Sequence, residues 1–180
     1  MPDGKTHDRL TVLGAALAVP AWLLLAPPAF RADYVAAGTL AAATLFSGLM
    51  LSPDLDLDSS IYRRWGVFRF LWWPYMKAMP HRSFLSHSYV IAPLIRVAYF
   101  LLVCYVLFRA GSWLAHFVVP HDRNGITDRA YTALVDFPTR HPAHFWATAI
   151  GTIWGTALHV GADTFSTRLQ KANPFRRRRR

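Results

Sequence analysis

The chain contains no glutamate, and all of its acidity comes from ten aspartates. That removes the terminal bidentate Glu of an EF-hand loop, whose glycine is missing as well. Cysteine is nearly absent. The single Cys104 excludes an intrachain disulfide, and it lies inside an apolar run with no activating neighbour, so it reads as packing. Charge is scarce: Asp, Lys and Arg make up 17% of the chain, against about 25% in an average soluble domain.

What is present is apolar and basic. Apolar residues reach 53% and are gathered in runs, the distribution expected of a membrane protein. Twenty Lys and Arg give a formal charge of +10, which favours anionic surfaces such as phospholipid head groups or nucleic acid. At 180 residues the chain is one domain.

Four apolar stretches organise it, at residues 10–28, 34–51, 88–119 and 143–165. Each approaches or exceeds the roughly 20 residues needed to cross hydrocarbon. The Phe30-Arg31-Ala32-Asp33 link fits a hairpin between the first two. Arg96 and Arg109, near the ends of the third, are expected to snorkel to the interface. Gly151, Gly155, Ala157 and Gly161 in the fourth let helices approach closely. Lys5 and Arg9 precede the first core as in a signal peptide. That core is long, and Phe30-Arg31-Ala32 is a poor cleavage site, so an uncleaved first helix is expected.

Positive charge sets the orientation. Lys5, Arg9, Arg63, Arg64, Arg69, Lys77, Arg82, Arg168, Lys171 and Arg176 to Arg180 fall on one side. On the other, Arg123, Arg129 and Arg140 are balanced by Asp122, Asp128 and Asp136. The sequence thus predicts an all-α, polytopic membrane helix bundle with about four transmembrane helices. Its N- and C-termini face the cytoplasm from a multi-pass position in the inner membrane. Residues 1–170 form the domain, with an interfacial aromatic and basic loop at 59–80 and an outer loop at 120–142. A polybasic tail follows at 171–180, read as a topology anchor on anionic lipid. In the 59–80 segment Trp65, Phe68, Phe70, Leu71, Trp72, Trp73 and Tyr75 alternate with Arg63, Arg64, Arg69 and Lys77. It suits head-group depth, or else a core helix covering the end of the bundle. Membrane lipids, and anionic head groups above all, are the expected partners; no specific nucleic acid is expected.

The residues able to bind metal lie at the same end of successive apolar stretches. His7 precedes the first, and Asp54, Asp56 and Asp58 follow the second. His81 and His87 open the third, and His159 and Asp163 close the fourth. An up-down-up-down course brings all of them to the cytoplasmic end. His159 and Asp163, four apart on a helix, share a face and can serve one ion. Imidazole with carboxylate suits zinc, manganese or iron rather than calcium. The three alternating aspartates would point the same way in an extended segment, and would repel unless cations neutralised them. Arg82, Ser83 and Ser86, between the paired histidines, offer a cation and hydroxyls to a phosphate. Each cluster has a plainer explanation by itself: a solvated histidine, a surface hydrogen bond, an Asp-rich turn or helix cap. A rival set, His116, His121, His141 and His144, lies near the opposite end and reads as interfacial or loop histidines.

Several runs carry a family resemblance: Gly4-Lys5-Thr6-His7-Asp8, Phe46-Ser47-Gly48-Leu49-Met50 leading into Pro53-Asp54-Leu55-Asp56, Tyr62-Arg63-Arg64-Trp65-Gly66, and His81-Arg82-Ser83-Phe84-Leu85-Ser86-His87. They resemble a bacterial family of metal-binding membrane proteins of unknown function. More distantly they are similar to the YdjM-like inner-membrane metal-dependent hydrolases, and in ligand order to the zinc-dependent phospholipase C fold. The resemblance implies His7, Asp54, His81, His87, His159 and Asp163 as ligands, with Asp56 or Asp58 as bridging ligand or base. The resulting expectation is a hydrolase of phosphoester or lipid-linked phosphate substrates. It would use one to three divalent ions, zinc first and manganese or iron as alternatives. Asp56 or Asp58 would take a proton from water, and Arg82 with Arg63 or Arg64 would bind substrate. The competing expectations are a non-catalytic metal-binding membrane protein, and a membrane-anchored adaptor with a basic tail.

Overall fold

Small residues at helical spacing set the architecture. In the first helix, α1 (Gly4–Leu25), the buried positions are His7, Thr11, Gly14, Ala15, Ala18 and Trp22, a single stripe along one face. The third, α3 (Tyr34–Met50), buries Ala36, Ala37, Leu40, Thr44, Ser47 and Gly48. Between them lies the short α2 (Pro28–Arg31), where the Trp22 indole donates to the Phe30 carbonyl at 3.1 Å. Asp33 caps α3 by accepting from the Ala36 amide at 2.8 Å. The computed structural model describes residues 4–79, 88–118 and 123–172.

The last helix, α8 (Pro142–Ala172), packs most extensively against α3 and also against α1. Glycine makes this approach close. A Cβ on Gly151 would stand 2.5 Å from the Leu40 carbonyl oxygen, and one on Gly155 would stand 2.6 Å from that of Thr44. Gly161 has no neighbour within 4 Å of such a Cβ, so it serves no close contact. At the end away from His7 the three helices enclose Ala18, Trp22, Ala36, Leu40, Ala143 and Ala147.

Between α3 and the long α6 (Ile91–Val118) the chain folds back over the other end. A 3-10 turn (Pro53–Asp56), α4 (Ser60–Arg64), a second 3-10 stretch (Gly66–Trp72) and α5 (Trp73–Ala78) form this cover. The Arg64 guanidinium and the Trp65 indole each donate at 3.0 Å to the last carbonyls of α3, those of Leu49 and Met50. The segment covers the end of the bundle, one of its two expected readings, and also keeps an exposed aromatic face. Trp72 and Tyr75 turn inward against Leu51, Leu55, Ile61, Tyr99 and Phe100. Val67, Phe68, Phe70 and Trp73 face outward, with Lys77 over the Trp73 ring.

Helix α6 (Ile91–Val118) begins where the Ala92 amide donates to Ser88 Oγ at 2.7 Å. It is largely apolar and mostly exposed; its first turns bury Ala92, Pro93 and Arg96, and Tyr99 and Phe100 pack on the cover. Arg96 departs from the snorkelling expectation. Its side chain is wholly buried, because its helix face turns toward α8 rather than toward an interface. The connection expected as an outer loop carries its own exposed helix, α7 (Arg123–Arg140), supported by an i,i+4 pair between Asp136 and Arg140 at 2.8 Å.

Among the described residues there is no strand, and three segments are long and apolar enough to cross a membrane: Gly4–Leu25, Tyr34–Asp56 and Ile91–Leu114. Helix α8, the expected fourth span, is not among them. His144, His159, Asp163 and five threonines dilute its hydropathy.

Candidate metal centre

Three remote pieces of chain converge where α1 begins, α3 ends and α8 nears its finish. His7 lies in the first turn of α1 on the buried stripe, and His159 and Asp163 lie one turn apart on α8. Asp54 is presented by the 3-10 turn after α3. Ser59 Oγ holds that turn by donating to the Asp54 carbonyl oxygen at 2.7 Å.

The spacing fits a shared cation better than hydrogen bonds. His7 Nε2 is 3.3 Å from Asp163 Oδ1. His159 Nε2 is 3.5 Å from Asp54 Oδ2 and 3.6 Å from Asp163 Oδ2. A good N–H···O bond is shorter, at about 2.7–3.2 Å. Zinc bound at about 2.0–2.2 Å in a tetrahedron sets neighbouring ligand atoms about 3.3–3.6 Å apart. His7, His159 and Asp163 each offer one ligand atom within 4.8 Å of the other two. All three are buried, at 6%, 2% and 8% exposure. His159 Nε2 and Asp163 Oδ1 make no hydrogen bond there. Buried polar atoms without partners are costly, and a divalent cation supplies what they lack.

The surroundings orient the ligands. The His7 and His159 rings stack at 3.8 Å, only 17° from parallel. Ser52, fully buried, places its hydroxyl 2.8 Å from His159 Nδ1. With a cation at Nε2, Nδ1 would carry the proton and donate to Ser52 Oγ, which would fix ring and tautomer together. Sequence reasoning passed over Ser52. The one available signal was its place between the end of α3 and Pro53-Asp54.

The other expected residues fall differently. Asp54, Asp56 and Asp58 do not point one way, because the chain there is a 3-10 turn rather than an extended strand. Asp56 is buried beside Leu55, and its charge is felt by Tyr75 and Arg96. Asp58 is on the surface, held by Arg63 at 3.0 and 3.2 Å. That guanidinium keeps the Asp58 carboxyl below its ordinary range and so weakens it as a base. Arg64 pairs with Asp8, next to His7, and braces α1 against the end of α3. His81, Arg82, Ser83, Ser86 and His87 lie outside the described residues. In the rival set, His141 and His144 stand 6.0 Å apart with Asp33 3.9 Å from His144, and the described residues hold no other three-ligand group.

Helices gathered around a buried His/His/Asp cluster define a helical metal-binding protein. The chain belongs to the family of uncharacterized metal-binding proteins DUF2227, which matches residues 2–173. No curated protein and no solved structure matches it.

Proposed function

We propose that this protein is an integral membrane metal-dependent hydrolase of phosphoester or lipid-linked phosphate substrates, with its centre on His7, His159, Asp163 and Asp54. The observation that carries this reading is the set of 3.3–3.6 Å imidazole–carboxylate separations that join the buried His7, His159 and Asp163 and the partly exposed Asp54 without hydrogen bonds. Three buried protein ligands with a fourth position toward solvent is the arrangement of catalytic zinc sites. Asp54, 30% exposed at its side chain, would stand beside the three buried ligands, on the side through which water could reach the ion. A divalent cation held there, zinc before manganese or iron, would supply Lewis acidity to a phosphoryl oxygen and acidify a water. Asp56 is the better-placed proton acceptor of the two expected, since Asp58 is engaged by Arg63. His81 and His87 are proposed as further ligands, and Arg82, Ser83 and Ser86 as substrate contacts, on sequence grounds.

Membrane integration is part of the proposal. The apolar, exposed surface of α6 suits lipid. Val67, Phe68, Phe70 and Trp73 beside Arg69 and Lys77 suit anionic head groups at the site's end of the bundle. The charge bias supports four spans in the inner membrane, with both termini and the site at the cytoplasmic side.

The test is purified protein assayed on phosphoester substrates, with and without chelator, beside an Asp54→Ala, His87→Ala double variant. Metal-dependent turnover that the variant loses supports the reading, and equal turnover in both contradicts it. A second reading, a closed metal site that cross-links helices without catalysis, is favoured by the burial of three ligands. It predicts bound metal and no turnover.

A further inference from the structure

The deepest cation in the bundle feels the charges of Asp56 and Asp54, yet only one of its nitrogens makes a hydrogen bond among the described residues. Arg96 has no exposed surface, although it sits in α6, a helix that otherwise shows most of its length. One nitrogen, Nη2, donates to Thr156 Oγ1 at a long 3.4 Å. Nε and Nη1 are buried and donate to nothing among the described residues. A guanidinium cannot shed its charge, so burial leaves it dependent on an anionic acceptor.

Two routes tie this group to the metal centre. Thr156 precedes His159 by one turn on the same face of α8, and its hydroxyl lies 3.4 Å from Ser47 Oγ, which donates to the Thr152 carbonyl. The titratable groups that reach Arg96 electrostatically are Tyr75, Asp56 and Asp54. Asp54 is also the carboxylate beside His159 Nε2. Arg96 therefore lies within electrostatic reach of the same aspartate turn that flanks the cluster. Two other arginines near the site are occupied, Arg63 by Asp58 and Arg64 by Asp8.

We propose that Arg96 is the oxyanion-recognition residue of this centre, donating through its unused N–H groups to a phosphate oxygen whose neighbouring oxygens face the His7–His159–Asp163 cluster. This rests on the metal reading above and deepens it by naming the group that selects a phosphate. A planar guanidinium suits a tetrahedral oxyanion because it offers several fixed donors at once. The same chemistry serves a free phosphate or a phosphomonoester head group.

The test uses the full chain in phosphatidylcholine nanodiscs, loaded with zinc and freed of excess metal. Inorganic phosphate is titrated calorimetrically into wild type, Arg96→Lys and Arg96→Gln, with bound zinc quantified in each. The expected result is zinc retained in all three, phosphate affinity lowered about tenfold or more in Arg96→Lys, and binding lost in Arg96→Gln. Arg96→Lys keeps the charge and so guards against a variant that fails to fold. Phosphatidic acid added to the discs distinguishes the source: competition assigns a lipid head group, and its absence a soluble phosphate. Zinc bound normally with phosphate affinity equal in wild type and both variants overturns the role of Arg96. So does zinc-loaded wild type that binds no phosphate. Absence of zinc from wild type strikes the metal centre itself.

Discussion

Ser52 Oγ and His159 Nδ1 lie 2.8 Å apart in a fully buried contact that joins the end of α3 to the middle of α8. This hydroxyl holds the far side of a ligand ring and points its Nε2 at two carboxylates. Replacing Ser52 by Ala removes the hold and leaves every proposed ligand in place. Metal affinity is expected to fall about 10–100-fold, the usual cost of losing a group that orients a metal-binding histidine. Competition with a chelating dye in detergent solution measures it.

The approach of α8 to α3 makes a second prediction. A methyl group at Gly155 would meet the Thr44 carbonyl oxygen at 2.6 Å, a backbone atom that cannot swing aside. Gly155→Ala should destabilise the bundle by about 1–3 kcal/mol, as overpacking does, and weaken metal binding by displacing His159. Gly161→Ala is the control. It meets nothing within 4 Å and should be neutral, or more stable by up to about 1 kcal/mol through helix propensity. Thermal unfolding of the two variants beside wild type separates these outcomes.

Alkaline pH probes the cover over the site. Burial pushes the Tyr75 hydroxyl up to about 12 from its ordinary 10.0, the nearby Asp56 charge adding to the effect and Arg96 opposing it. The folded state thus keeps a proton that the unfolded chain releases first. Stability tied to this phenol is whole below about pH 10 and is lost as pH rises from about 10 to 12. Tyr75→Phe should flatten that part of the stability profile. It should cost nothing near pH 7, because the Tyr75 hydroxyl makes no hydrogen bond among the described residues. Unfolding midpoints measured at pH 8 and pH 11 check both statements.

The sequence carried the helices and part of the centre for identifiable reasons. Apolar runs at 10–28 and 34–51 map onto α1 and α3 because hydropathy marks where a helix buries or meets lipid. Those helices begin and end within two turns of the runs. His159 and Asp163 were readable because a spacing of four on a helix needs no tertiary knowledge. The Asp54–Asp58 stretch was harder. Period-two spacing means a shared direction only in extended chain, and Pro53 opens a 3-10 turn instead. Ser52 and Arg96 eluded local reasoning altogether. Each acts through partners more than fifty residues away, Ser52 through His159 and Arg96 through Thr156. Arg96 did offer a cue: an ionisable residue in an apolar helix implies a buried partner as readily as an interfacial one.

The most direct measurement is metal content after equilibrium dialysis against zinc, with wild type and His159→Ala purified side by side. Two imidazoles and a carboxylate converging from α1 and α8 predict at least one tightly held equivalent in wild type, and a loss of that equivalent in the variant. Equal zinc in both proteins, or none in either, would contradict a shared cation at His7, His159 and Asp163.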